Sequence, residues 1–113
     1  MQVSYKNAKM AKQAADLKSL TRTYGQSGKW IAKCIQTLMA VPNLAELFKP
    51  FFRRFRCHLL HNDKQGKYSL DERGPYRVLF EPKPPVPYKD DGGVDTKEVE
   101  SIIVTDLHVD THE

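Results

Sequence analysis

The chain has 113 residues, 40% of them hydrophobic, with a mean hydropathy of −0.58 and a net charge of +4. That length supports one compact core and is short for two domains of ordinary size, so residues 1–113 are read as a single domain. No run approaches the ~20 apolar residues that span a bilayer, and MQVSYKNAKMAKQAADLK lacks the apolar segment of a secretory signal, so a cytoplasmic protein without membrane partners is expected.

QVSY alternates polar and apolar residues and predicts a short strand, ending at Asn7, a good helix N-cap. From Ala8, the spacing of Met10, Ala14, Leu17 and Tyr24 predicts one amphipathic helix, with lysines on its other faces. Gly25 suits its stop. Ser27 is the expected cap of a second helix, whose Ile31, Cys34, Ile35 and Leu38 form one stripe and which Pro42 terminates. NLAELF adds a further helical turn.

After Pro50 the period changes. FRCHLL, KYSL, PYRVLFEP and VESIIVTDL are short, rich in β-branched, aromatic and aliphatic residues, and read as four strands. The first three are joined by the turn-rich NDKQG and DERG. Pro82, Pro84, Pro85 and Pro87 exclude a regular central strand, so an extended excursion precedes the last strand. The expected fold class is α+β: an N-terminal helical hairpin packed on a twisted, mostly antiparallel sheet. Cys34 and Cys57 lack the close pairing of a zinc site and are expected to be reduced and mostly buried.

Charge is unevenly distributed. Residues 1–48 hold seven Lys/Arg and two acids, 49–80 hold eight and three, and 81–113 hold three and nine. A basic middle carrying His58 and His61 points to a polyanion such as nucleic acid, with a solvated surface as the plainer explanation. Strand alternation puts Arg56 and His58 on one face and Cys57 and Leu59 on the other. Lys64 and Lys67 are expected near His61 across the turn. Arg77, inside an apolar strand, either grips phosphate or pairs with a carboxylate of the tail.

RNA is cleaved without a metal when a base takes the 2′-hydroxyl proton, cations hold the charge on the phosphoryl oxygens and an acid protonates the leaving oxygen. His58 and His61 are candidates for the proton transfers, and Arg77, Lys64 and Arg73 for the cations. His108, Asp110 and His112 alternate as metal ligands would, but they lack an evident second shell, and a polar strand end is the commoner reading.

Taken together, VSYKNAKMAK, LTRTYG, NLAELF, CHLLHNDKQGKYSL, PYRVLFEP and the terminal VDTH resemble the RelE/ParE toxin superfamily, in its HigB-like killer-protein branch. The resemblance spans nearly the whole chain, and the middle block is its most specific part. It implies a RelE-like fold and the toxin of a type II toxin–antitoxin pair, which enters the ribosomal A site and cleaves translated mRNA without a cofactor. It also implies a cognate antitoxin of helix-turn-helix type encoded next door, through which alone operator DNA would be met.

The resemblance matches His58, Arg77, Asp110 and His112 to the family's site residues; joined to the reading of the residues themselves, it leaves His58, His61, Arg77 and His112 as the expected catalytic residues, with Arg56, Lys64, Lys67, Arg73 and Asp110 on RNA and His108 as the alternative counterpart of His112. Two positions depart from the pattern: His61 replaces a usual lysine, and Thr111 a frequent tyrosine. These departures keep open a non-catalytic, decayed nucleic-acid-binding homologue, and the shared fold keeps open a ParE-type gyrase poison.

Overall fold

The computed structural model describes residues 1–61, 66–71 and 76–110. They form an α+β domain. Strand β1 (Gln2–Tyr5) is followed by helices α1 (Ala8–Gln13), α2 (Leu17–Tyr24) and α3 (Ser27–Ala40). Two 3-10 helices, Leu44–Phe48 and Pro50–Phe55, lead into β2 (His58–Leu59), β3 (Tyr68–Leu70) and β4 (Tyr76–Pro82). A third 3-10 helix, Thr96–Glu98, precedes β5 (Ser101–Asp110). The strands make one mixed sheet in the order β1-β5-β4-β3-β2, antiparallel except for the β1/β5 pair.

The single helix expected over residues 8–24 is two. Asp16 takes an extended conformation and its carboxylate accepts the Ser19 amide at 2.7 Å, so it caps α2 and interrupts the chain after α1. Asn7 caps α1 in the same way through the Met10 amide. Ser27 does not cap α3: Gln26 holds that position without a side-chain bond, and Ser27 is the first helical residue.

The α2–α3 turn is set by two glycines. Gly25 has φ +60°, and a Cβ on Gly28 would stand 2.8–2.9 Å from the backbone of Leu20 and Thr21. Only glycine lets the start of α3 press this closely on α2. At the other end of α3, the Met1 amino group donates to the carbonyls of Leu38, Met39 and Val41, placing a cation at the helix C-terminus.

The core lies between the helices and one face of the sheet. Leu20, Ile31, Cys34, Leu38, Leu44 and Leu47 meet Tyr68, Leu70, Val78, Phe80, Ile102, Val104 and Leu107, all essentially buried. The expected stripe on α3 is therefore its core-facing side.

The segment before β2 departs most from expectation. Only His58 and Leu59 of FRCHLL are strand. Phe55 closes a 3-10 helix that Pro50 begins, and Arg56 is left-handed at φ 50°, ψ 45°, which turns the chain into β2. The proline-rich excursion contains a cis Pro84–Pro85 bond and an isolated bridge between Tyr88 and Val94.

Candidate functional site

Register places the candidate side chains. His58 pairs with Ser69, and Ser69 with Leu79; alternation then puts Asp71, two residues beyond Ser69, and Arg77, two before Leu79, on the same face as His58. Tyr68, Leu70, Val78 and Phe80 point the other way, into the core. This second face is thus a consequence of the pleat once the apolar set is committed to the helices.

Asp71 is its centre. Its side chain is 3% exposed and its amide donates to the Phe55 carbonyl at 2.7 Å, tying the end of β3 to the 3-10 helix. Three basic side chains surround the carboxylate: Arg56 Nη1 at 3.4 Å, Arg77 Nε at 3.7 Å and His58 Nδ1 at 3.8 Å. These separations are those of ion pairs rather than short hydrogen bonds. Among the described residues, one buried carboxylate thus faces two permanent cations, an excess of positive charge. Such an excess beside an exposed surface attracts anions.

The orientation of His58 is fixed. Its Nδ1 lies 2.6 Å from the Arg56 carbonyl oxygen, which can only accept, so Nδ1 carries the hydrogen. In the neutral ring the lone pair is then on Nε2. The side chain is 39% exposed, whereas that of Arg77 is 13% and that of Arg56 is 67%. The site therefore grades from a buried anchor to a solvent-facing guanidinium. Ser69, wholly buried between His58 and Leu79 in register, has a hydroxyl with no hydrogen-bond partner among the described residues.

Lys67 lies on this face too, two residues before Ser69, and pairs with Asp106 of β5 at 3.4 Å. Thr105 donates to the same Asp106 oxygen at 2.9 Å. One basic group of the middle region thus meets an acid of the acidic last third. Arg77 meets a carboxylate as well, that of Asp71. His61 is exposed just past the end of β2.

Asp110 stands elsewhere. It is in register with Tyr76, the neighbour of Arg77, and alternation turns both away from the face of Arg77. His108 belongs to that other side as well. Its ring stacks on Tyr76 with centroids 3.9 Å apart, lies 5.2 Å from Tyr24, and its Nε2 is 3.2 Å from Ser27 Oγ. His108 thus joins the sheet to the start of α3. Among the described residues no group of three or more His, Cys, Asp or Glu is placed to hold a metal. Lys64, Arg73, Thr111 and His112 lie outside the described residues.

Cys57 is no nucleophile. Burial first, and the Asp71 charge second, push its thiol up to about 12, far from the thiolate that reactivity requires. Cys34 is buried.

Asp71 is the residue that sequence reasoning missed, having been placed in a turn with DERG. The signal was present: in YSLD the alternation of β3 runs one step further and carries Asp71 to the face of Ser69.

No family model matches the chain, and no curated protein matches it. No helix is long and apolar enough to cross a membrane among the described residues.

Proposed function

We propose that the Asp71 cluster binds the ribose-phosphate backbone of RNA and cleaves it, and that the chain acts as a HigB-like toxin on mRNA under translation. The observation that carries this reading is His58. Its Nδ1 is held by a carbonyl, its Nε2 keeps the lone pair, and Arg56 and Arg77 reach the same carboxylate beside it.

In this reading Nε2 of His58 takes the proton of a 2′-hydroxyl, whose oxygen attacks the adjacent phosphorus. The bond to the 5′-oxygen breaks, leaving a 2′,3′-cyclic phosphate, and the departing oxygen gains a proton from a second imidazole, that of His61. Arg77 and Arg56 hold the charge that builds on the phosphoryl oxygens. Asp71 positions these groups without touching substrate. Recruitment by the ribosome and control by an antitoxin follow from the family resemblance.

The test is to add the purified protein to a translation reaction and map the mRNA ends. His58→Ala and Arg77→Ala should each lower cleavage roughly 100- to 10,000-fold, the range for losing one acid–base group or one oxyanion donor. Both should relieve growth arrest on expression. Intact mRNA alongside loss of DNA supercoiling would replace this reading with gyrase poisoning.

A second reading has its own support. The carboxylate beside Arg77 is buried, as in a structural ion pair, so the cluster would hold β4 to the 3-10 helix and bind RNA without cutting it. In that case His58→Gln leaves RNA binding unchanged and no cleavage is seen with the unmodified protein.

A further inference from the structure

The segment KPFFRRFR, residues 49–56, has four cations, three phenylalanines and no acid. Pro50–Phe55 is a 3-10 helix, in which residues three apart share a side. Phe52 and Phe55 therefore fall on one side, which is the buried one: Phe55 is 2% exposed and Phe52 packs against the core. Phe51 and Arg54 fall on the next, which faces solvent, with Phe51 exposed to 85%. Pro50 and Arg53 fall on the third; Arg56, left-handed and just past the helix, is the guanidinium that reaches Asp71. Among the described residues the cost of showing a phenyl ring to water is offset only from below, where Phe52 supports it edge-on with centroids 4.9 Å apart.

We infer that Phe51 is a stacking platform for an unpaired nucleobase, with Arg54 and Arg53 on the flanking phosphates, and that it extends the Asp71 cluster by one nucleotide or more. Arg56 is the hinge between the two, being at once the residue that ends the 3-10 helix and a member of the cluster. An aromatic face interleaved with guanidinium groups is the usual way single strands are held without sequence readout. A membrane surface also attracts cations and aromatic rings, but one protruding ring on a helix this short buries little apolar area, whereas it matches one base. This inference rests on the RNA reading of the cluster and names how that site takes hold of its substrate.

The test is fluorescence anisotropy with the full chain and a 2′-O-methyl oligonucleotide, which cannot be cleaved, beside an abasic oligomer with the same number of phosphates. Phe51→Ala should weaken binding of the base-bearing strand roughly 5- to 150-fold, the range for one lost base–aromatic stack, with no change on the abasic one. Its salt dependence should match that of the unmodified protein. Arg54→Ala should instead flatten the salt dependence by about 0.7 in logarithmic slope, one phosphate contact. Phe51→Trp should bind at least as tightly as the parent and guards against a folding artefact.

Equal affinity of Phe51→Ala and parent for the base-bearing strand overturns the platform. So does an equal loss on both oligomers, or a loss seen only on phosphatidylserine vesicles. If Phe51→Ala is silent while His58→Ala abolishes cleavage, the platform alone falls. If the parent binds neither oligomer, the RNA reading falls with it.

Discussion

The two faces of the sheet are built from the same strands by different rules. Tyr68, Leu70, Val78 and Phe80 on the helix side form a continuous apolar layer, whereas Ser69, Asp71 and Arg77, their immediate neighbours in sequence, carry hydroxyl, carboxylate and guanidinium. Both sides are largely buried, yet they are held differently. The first is stabilised by area removed from water, which is insensitive to small shifts. The second depends on pairing charges that would be costly to bury singly. A fold whose one face is over-determined by packing can carry a polar cluster on the other.

Substitutions on the two sides should therefore fail in distinguishable ways. Phe80→Ala removes a ring with no exposure and should cost about 3–5 kcal/mol in urea unfolding, nearly independent of salt. Asp71→Ala leaves basic groups around a lost carboxylate. It should cost about 2 kcal/mol, less than the ~3–5 of a fully buried pair because Arg56 and His58 are reached by water, and the cost should change with ionic strength. An equal salt response of the two variants would erase the distinction.

Cys57 sharpens it from the helix side. Its thiol is raised from 9.0 to about 12 in the folded chain, so the unfolded state loses its proton first as pH rises. Stability from this group is complete below pH 9 and is lost above it, at ~1.4 kcal/mol per pH unit until the folded thiol ionises. Tyr5, Tyr24 and Tyr68 are also raised by burial and act in the same direction, so the measurement is the part of the alkaline slope that Cys57→Ser removes. A slope unchanged by that substitution would show the thiol to be hydrated. The smallest effect belongs to the helical layer: Asn7→Ala, which loses the cap to the Met10 amide, should lower stability by about 1 kcal/mol and leave the cluster intact, as its chemical shifts would report.

Much of the helical layer was legible because its signal is local. Ile31, Cys34, Ile35 and Leu38 repeat at the helical period and lie where that period puts them. The break before α2 was hidden because Met10, Ala14, Leu17 and Tyr24 keep the same spacing across it; Asp16, a weak helix former and strong cap, decided the matter. The 3-10 helix over Pro50–Phe55 was equally obscure, since the doublets of PFFRRF follow neither the helical nor the strand period.

The site was legible in its members more than in its architecture. His58 and Arg77 were picked out by residue type, and the register brings both to one carboxylate. Asp71 was not, because its importance lies in burial and in an amide bonded to Phe55, sixteen positions earlier by number, which no window of sequence displays. Asp110 had been grouped with Arg77 by analogy; one residue of register sends it to the other side.

The position of β5 sets the timetable for assembly. The strand translated latest is flanked by β1, the earliest, on one side and β4 on the other. Until it emerges, the nascent polypeptide has helices and hairpins but no strand to join β1 to the sheet, and closing that span brings Gln2 beside Ser101. Nascent chains arrested before residue 101 should stay protease-sensitive throughout, and any activity that needs the finished sheet begins only after synthesis has passed its last strand.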